Sequence, residues 1–96
     1  MVDRTGREIV AGDIALDIRG NSIVFIQGGQ TATGRIRVVA GSHKTFSLMN
    51  HYLIKVPKEM AIEIVEKDRE YHTEINYHTV SMQIRWDYAL NRLQEM

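Results

Sequence analysis

The chain has 96 residues, with twelve Lys or Arg against twelve Asp or Glu and a hydrophobic fraction of 44%. This composition predicts one small folded domain rather than a disordered chain, and the zero formal charge gives no general attraction to nucleic acid. Because the chain has no cysteine, disulfides and thiolate metal sites are excluded. No apolar run approaches the ~20 residues of a membrane helix, and the charged start MVDRTGREIV lacks the apolar core of a signal peptide. We therefore expect a soluble cytoplasmic protein that does not contact a membrane.

Residues 1–57 predict a small antiparallel sheet. Seven glycines divide this part of the chain into short segments rich in Ile, Val and Phe. In the first segment Ile14, Leu16 and Ile18 alternate with polar or small residues, which predicts a strand with one buried face. The pair Gly20 and Asn21 then indicates a tight turn.

Four more strands are predicted in chain order, in the segments SIVFIQ, GRIRVVA, KTFSLM and YLIKV. Alternation predicts that the inward residues of the third and fifth strands are Ile36, Val38, Tyr52, Ile54 and Val56. Arg35 and Arg37 are expected to face solvent. Because closing a sheet removes its exposed edges, five short strands with tight turns predict a small closed or half-closed antiparallel β-barrel.

Residues 58–96 contain neither glycine nor proline and predict helix. Pro57 suits a position just ahead of a helix or in its first turn. Residues at helical spacing form one face near the start of this region and another near its end. They are Met60, Ala61, Ile64, Val65 and Asp68, and then Trp86, Ala89, Leu90 and Leu93. The region is therefore expected to form a C-terminal helix or a helical hairpin.

The stretch EYHTEINYHTV, residues 70–80, repeats Tyr-His-Thr and is ambiguous. Its surroundings fit both the period of a strand and the period of a helix. We favour a continuous helix, because the stretch lacks turn residues and has predicted helix on both sides. The alternative is a break between Thr73 and Thr79, with Thr79 or Ser81 as the N-cap of a second helix.

The histidines do not form a metal site in either conformation. On a helix, His72 and His78 would point ~120° apart, and on a strand they would lie about 20 Å apart. The sequence also lacks a cysteine nucleophile, a Gly-x-Ser-x-Gly motif and a Walker loop. We therefore expect no catalytic residue, no metal and no cofactor, and a protein that is not an enzyme.

The polar segment QGGQTATGRIR is a candidate anion-binding site. Glycines let backbone amides approach an anion, while threonine hydroxyls and arginine side chains donate further hydrogen bonds. Residues 1–57 also hold seven Lys or Arg against four Asp or Glu, a formal charge of +3. The candidate anion or nucleic-acid-binding residues are Arg19, Gln27, Gln30, Thr31, Thr33, Arg35, Arg37 and Lys44. A flexible loop before a strand with solvent-facing arginines explains the same residues.

The apolar side of residues 58–96 is the second candidate site. It carries more apolar surface than the core of a small barrel needs, which indicates self-association or a protein partner. The candidate interface residues are Tyr71, Ile75, His78, Met82, Trp86, Ala89 and Leu93. The alternative is a helical hairpin that packs on the barrel of the same chain.

The segment DRTGREIVAGDIAL resembles the start of a widespread class of small tailed-phage proteins. The matching residues are Asp3, Thr5, Gly6, Glu8, Ile9, Gly12 and Asp13. This class is similar to SH3-like or KOW-like barrels, and GRIRVV and YLIKVP resemble its later strands, so the likeness covers residues 3–57. The resemblance implies an SH3-like barrel and an accessory role: binding nucleic acid, binding a host protein, or blocking a host defence. It implies no catalytic residue.

These observations predict an SH3-like β-barrel over residues 1–57 and a helical tail over residues 58–96 that serves oligomerisation or partner binding. We expect a non-enzymatic phage accessory protein in the host cytoplasm that recognises a host or phage protein as a homo-oligomer. The alternative is a nucleic-acid or nucleotide binder that uses the basic residues of the barrel. One version of this alternative sequesters a nucleotide signal.

Overall fold

The protein consists of five antiparallel strands followed by two helices. The computed structural model describes residues 1–30, 34–40, 44–77 and 79–96, with all of their side chains except those of residues 29, 30 and 44. The strands are β1 (Ile14–Asp17), β2 (Ser22–Gln30), β3 (Ile36–Ala40), β4 (Lys44–Leu48) and β5 (Leu53–Lys55), and the helices are α1 (Lys58–Glu74) and α2 (Val80–Gln94). One turn of 3-10 helix, Asn50–Tyr52, precedes β5. The predicted arrangement of a small antiparallel sheet followed by a helical hairpin is confirmed.

The sheet is open rather than closed into a barrel. Its strand order is β4-β3-β2-β1-β5, so β4 and β5 are its two edges. The β2–β3 pairing shifts register on both sides of Gly28, and such irregularities bend and twist a sheet. The closed barrel is nevertheless absent from the described residues, because no ladder of hydrogen bonds joins β4 to β5.

Both faces of the sheet are buried, whereas the alternation in β1 predicted only one. On one face Ile14 and Phe25 pack against the helices. On the other face Ala15, predicted to face solvent, is fully buried. The sheet curls over this second face, so that Leu48 of β4 and Leu53 of β5 belong to the same core as Ala15. The prediction of one buried face is therefore wrong for β1, because this strand lies between two cores.

The helices cover the first face of the sheet. Their buried residues are Ala61, Val65, Trp86, Ala89, Leu90 and Leu93, which share one core with Ile14, Ile23, Phe25 and Val56. Met60, predicted on the buried side of α1, is 49% exposed. Among the described residues, neither helix combines the length and the apolar character needed to cross a bilayer.

A buried carboxylate, Asp3, fastens the N-terminal segment to β5. Its Oδ1 accepts hydrogen bonds from the Thr5 amide (2.7 Å), the Thr5 hydroxyl (2.7 Å) and the Arg7 amide (3.0 Å). Its Oδ2 accepts the Lys55 amide of β5 at 2.7 Å. Burial alone would raise the pKa of Asp3, but these hydrogen bonds lower it to about 2, because they are made to the charged form. Asp3 is therefore a structural residue.

Other residues of the phage-like pattern also have structural roles. Gly6 and Gly12 adopt φ values of +88° and +94°, a region that glycine enters without strain. The Asp13 carboxylate accepts the Val10 amide at 2.9 Å and lies 3.2 Å from the Lys55 ammonium. The pattern therefore specifies how the N-terminal segment folds against the sheet.

The two helices are separate, because α1 ends at Glu74 and α2 begins at Val80. Asn76 adopts a left-handed conformation, φ +53°, and its amide donates to the Thr73 carbonyl at 3.1 Å. The Tyr77 amide donates to the His72 carbonyl at 2.9 Å, which completes a Schellman motif that ends α1. Thr79 then caps α2, since its hydroxyl accepts the Met82 amide at 3.2 Å. The continuous helix favoured from the sequence is therefore wrong, and the alternative break with Thr79 as the cap is confirmed.

Replacing Thr79 with alanine is expected to lower the free energy of unfolding by about 1 kcal/mol, because one amide in the first turn of α2 loses its acceptor. Ser81 is the matched control: it was the other predicted cap, and it is exposed within α2. Ser81→Ala should change stability by less than about 0.5 kcal/mol. Urea denaturation of both variants tests this, and equal losses would contradict the assignment of the cap.

Candidate functional site

The predicted anion-binding residues belong to more than one part of the sheet. Arg19 lies in the turn between β1 and β2, next to the Asp17–Ser22 pair, whereas Arg37 lies opposite Gly28. Gly28 lies six positions after Ser22 on β2, about 20 Å along the strand. Lys44 pairs with Ala40, at the end of β3 opposite to Arg35. Arg19 and Lys44 therefore lie apart from the pair Arg35 and Arg37.

Arg19 is engaged within its own chain. Its Nε and Nη2 donate to the two carboxylate oxygens of Asp17 at 3.2 and 3.1 Å, and its guanidinium lies 5.2 Å from the centre of the Tyr52 ring. The hydrogen bond to Asp17 raises the pKa of Arg19. Asp17 is buried, so its charge needs this partner. Arg19 is therefore better explained as the counter-ion of Asp17 than as an anion-binding residue.

Four other members of this predicted site, Gln27, Gln30, Arg35 and Arg37, lie at the same end of the β2–β3 pair. Arg35 and Arg37 are exposed, as predicted, and Gln27 is exposed on β2. The backbone of Gln30 belongs to the end of β2. Thr31 and Thr33 lie outside the described residues. An anion-binding site at this end of the β2–β3 pair therefore stays a prediction.

The predicted partner interface divides into buried and exposed residues. Trp86, Ala89 and Leu93 are 2%, 4% and 0% exposed in the core between helices and sheet, and Met82 packs against the same core. These four residues stabilise the chain's own fold. Tyr71 and Ile75 are instead 57% and 49% exposed. The seventh residue, His78, lies outside the described residues.

Large apolar side chains surround the tip of the hairpin, where α1 ends and α2 begins. Five of them are between 46% and 77% exposed: Tyr71, Ile75, Tyr77, Val80 and Ile84. Val65 and Trp86 are the nearest buried core residues on the two helices. The tip, defined as the described residues 71–77 and 79–84, therefore contributes little to the apolar core of the domain, apart from the half-buried Met82. Tyr77, Val80 and Ile84 were not among the predicted interface residues.

A shallow groove continues from the tip along the outer side of α2. It has a volume of about 430 Å³, and its lining residues are Ile84, Asp87, Tyr88, Asn91, Arg92 and Glu95. Arg92 closes the groove towards the sheet, because its guanidinium lies 4.4 Å from the centre of the Phe25 ring and donates to the Tyr88 hydroxyl at 2.8 Å. The groove thus offers both apolar surface and charged groups beside Ile84.

A polar network joins the two helices at the base of the tip. The Trp86 indole Nε1 donates to Asp68 Oδ2 at 2.9 Å, and His72 Nε2 lies 3.4 Å from Asp68 Oδ1. The His72 ring is 5.9 Å from the Trp86 ring. The i, i+4 spacing of Asp68 and His72 is a sequence signal for this pair, but its link to Trp86 depends on the hairpin.

The chemistry open to this network is limited by burial. A carboxylate that orients an imidazole is a common part of proton-transfer sites. Here, however, His72 Nδ1 is buried and has no hydrogen-bond partner among the described residues, so a substrate in solvent does not reach it. No group of three or more His, Cys, Asp or Glu side chains within the described ranges is arranged to hold a metal ion. The network is best explained as a support that fixes the tip on the domain.

The two predicted sites thus differ in the structure. Arg19 and Lys44 lie apart from Arg35 and Arg37, whereas exposed apolar residues gather at the hairpin tip. No family model, no curated protein and no solved structure matches this chain.

Proposed function

We propose that this protein is a non-enzymatic binding protein that docks a partner protein on the tip of its helical hairpin. The observation that carries the proposal is the exposure of Tyr71, Ile75, Tyr77, Val80 and Ile84. Scattered single apolar residues are normal on a protein surface, but several at one end of a helical hairpin are typical of an interaction site.

The charge around the tip indicates what kind of partner surface fits. Residues 70–84 include Glu70 and Glu74 and no Lys or Arg. An apolar groove with a basic rim would match this arrangement, since interfaces combine an apolar centre with complementary charges at the rim. The groove beside Ile84 would accept a side chain of the partner. This is the geometry of a helical element that inserts into a groove of another protein.

The network of Asp68, His72 and Trp86 supports a preformed binding surface. It connects α1 to α2 just below the exposed residues, and the Schellman motif and the Thr79 cap define the connection above it. A surface that is ordered before binding loses less conformational entropy when a partner docks. The tip therefore suits a binding mode in which this hairpin enters the partner as a rigid element.

The resemblance to small tailed-phage proteins suggests the biological setting. We propose an accessory role in the host cytoplasm, with a host or phage protein as the partner. The pairing of β5 with β1 and the single core that contains residues of both edge strands support an SH3-like arrangement of the sheet. The alternative, a nucleic-acid or nucleotide binder, has less support, because Arg19, Arg37 and Lys44 are far apart along the strands.

The test compares polar substitutions at the tip with one polar substitution away from it. Ile75 and Met60 are both 49% exposed on α1 or at its end, but only Ile75 belongs to the tip. The tip variant combines Ile75→Gln with Val80→Gln, and the control is Met60→Gln. Glutamine is chosen because it adds no charge that would interact with the helix dipole. Both variants should keep the thermal unfolding transition of the parent protein.

Each tagged protein is incubated with bacterial lysate, and bound proteins are identified by mass spectrometry. We expect a protein that the parent chain and the Met60→Gln control retain equally, and at least a tenfold loss of that protein in the tip variant. Retention of the same protein by all three, or no specific protein on the parent chain, would contradict the proposal.

A further inference from the structure

The two edges of the sheet differ in whether another segment of the chain covers them. At β5 the N-terminal segment occupies the edge: the Arg4 amide donates to the Leu53 carbonyl at 2.8 Å, and the Asp3 carboxylate accepts the Lys55 amide at 2.7 Å. At β4 the strand pairs with β3 alone, and no described residue bonds to its outer edge. Among the residues that the structure describes, the sheet thus has one covered edge and one open edge.

The central part of the open edge lacks the usual protection against pairing. Natural sheets protect their edges with charged side chains, lysine especially, with proline, or with β-bulges. The segment KTFSL contains no proline and pairs with β3 in regular register over all five residues. Its only charged residue, Lys44, is at the end of the strand. The central residues Thr45, Phe46 and Ser47 present uncharged side chains and an unpaired backbone edge.

We propose that two copies of this chain pair through β4, antiparallel about a twofold axis, to form one continuous ten-stranded sheet. Because the β5 edge is covered, each chain has one edge to offer, so pairing ends at a dimer instead of continuing into a fibre. This dimer uses a different surface from the hairpin tip. It leaves both tips available for partners.

The alternation of the strand defines the register of the pairing. Phe46 and Leu48 contribute to the second core, whereas Thr45 and Ser47 lie on the opposite face. In a continuous sheet, residues on one face must meet residues on the same face, and a slip by one residue breaks this rule. Placing Phe46 on the axis pairs all five residues of both strands. Thr45 then lies opposite Ser47 of the second copy, Lys44 lies opposite Leu48, and no like charges meet.

The first measurement is the solution mass by light scattering over a range of protein concentrations. The monomer has a mass of 11.0 kDa, and we expect a concentration-dependent rise towards twice this value. The rise should also occur in the tip variant Ile75→Gln/Val80→Gln, because the tip is not part of this interface. A monomer at every concentration would overturn the proposal and leave the open edge to an extended segment of a different protein. Loss of the dimer in the tip variant would overturn it as well.

The second measurement tests the register by disulfide formation, which the absence of native cysteine makes specific. Chains carrying Thr45→Cys are mixed with chains carrying Ser47→Cys under mild oxidation. We expect rapid cross-linking of the mixture, and at least tenfold slower cross-linking of either variant alone, because like positions lie diagonally across the axis. Ser81→Cys, exposed on α2, gives the rate of random collisions. Cross-linking of the mixture no faster than this control would overturn the proposed pairing.

Discussion

Replacing Trp86 with alanine is expected to lower the free energy of unfolding by about 4 kcal/mol. The side chain is 2% exposed and packs in the core between the helices and the sheet. Its removal leaves a cavity and deprives Asp68 of the indole N–H that donates to it at 2.9 Å. For a domain of this size, a loss of this magnitude corresponds to a fall in Tm of roughly 15 °C or more.

The measurement is urea denaturation followed by far-UV circular dichroism, since Trp86 is the only tryptophan and its fluorescence is lost in the variant. Trp86→Phe keeps most of the ring volume but not the N–H donor, and should cost about 1–3 kcal/mol. Ile84→Ala is the control on the same helix, because Ile84 is 46% exposed, and it should cost less than about 1 kcal/mol. If Trp86 were instead an interface residue, as predicted from the sequence, Trp86→Ala would keep the stability of the parent chain.

The observed position of Trp86 shows what helical periodicity can and cannot predict. The spacing of Trp86, Ala89, Leu90 and Leu93 correctly identifies an apolar face, because residues three and four apart lie on one side of a helix. It does not identify the surface that covers this face. The sheet of the same chain supplies that surface here, through Ile14 and Phe25 among others. This pairing of elements depends on tertiary structure, which periodicity does not contain.

The break in the hairpin contains neither glycine nor proline, and their absence favours a continuous helix. Asn76 adopts the left-handed conformation at the end of α1, and Asn21 does the same in the turn between β1 and β2. Asparagine is the residue other than glycine that most often enters this region. Counting asparagine as a turn residue would have favoured two helices. The cap at Thr79 was already recognisable as an alternative.

Whether the basic residues lie close together could not be predicted from the sequence, for a different reason. Alternation correctly places Arg35 and Arg37 outside and Ile36 and Val38 inside β3. Whether Arg19 approaches them depends on which residues of neighbouring strands are opposite each other, and this register is set by turns and bulges. The observed register places Arg19 at one end of β2 and Arg37 near the other. Exposure could therefore be predicted, whereas proximity could not.

Acidification is expected to remove about 2 kcal/mol of stability through Asp3 alone. Its pKa is about 2 in the folded protein against 3.8 for the ordinary carboxyl group, because amides of Thr5, Arg7 and Lys55 donate to the charged form. A group whose folded pKa is lowered stabilises the protein above its unfolded pKa. The contribution is therefore present in full above about pH 5, and it is lost as the pH falls through 3.8 towards 2. It amounts to a considerable part of the stability of a small domain.

Asp3→Asn tests this expectation with urea denaturation between pH 7 and pH 2. At pH 7 the variant should be less stable by about 2 kcal/mol or more. An amide has only one acceptor oxygen. Its NH₂ group would therefore face either the Lys55 N–H or the three donors that now bond to Oδ1. As the pH falls, the difference between parent and variant should shrink, since the parent alone loses the contribution of Asp3.

Asp87→Asn is the matched control: Asp87 is exposed and accepts a hydrogen bond from the Gln83 side chain at 2.9 Å. The control should follow the parent curve within about 0.5 kcal/mol. The expectation would be contradicted if parent and Asp3→Asn differed in stability by the same amount at pH 7 and at pH 2. The hydrogen bonds to Asp3 would then not favour its ionised form.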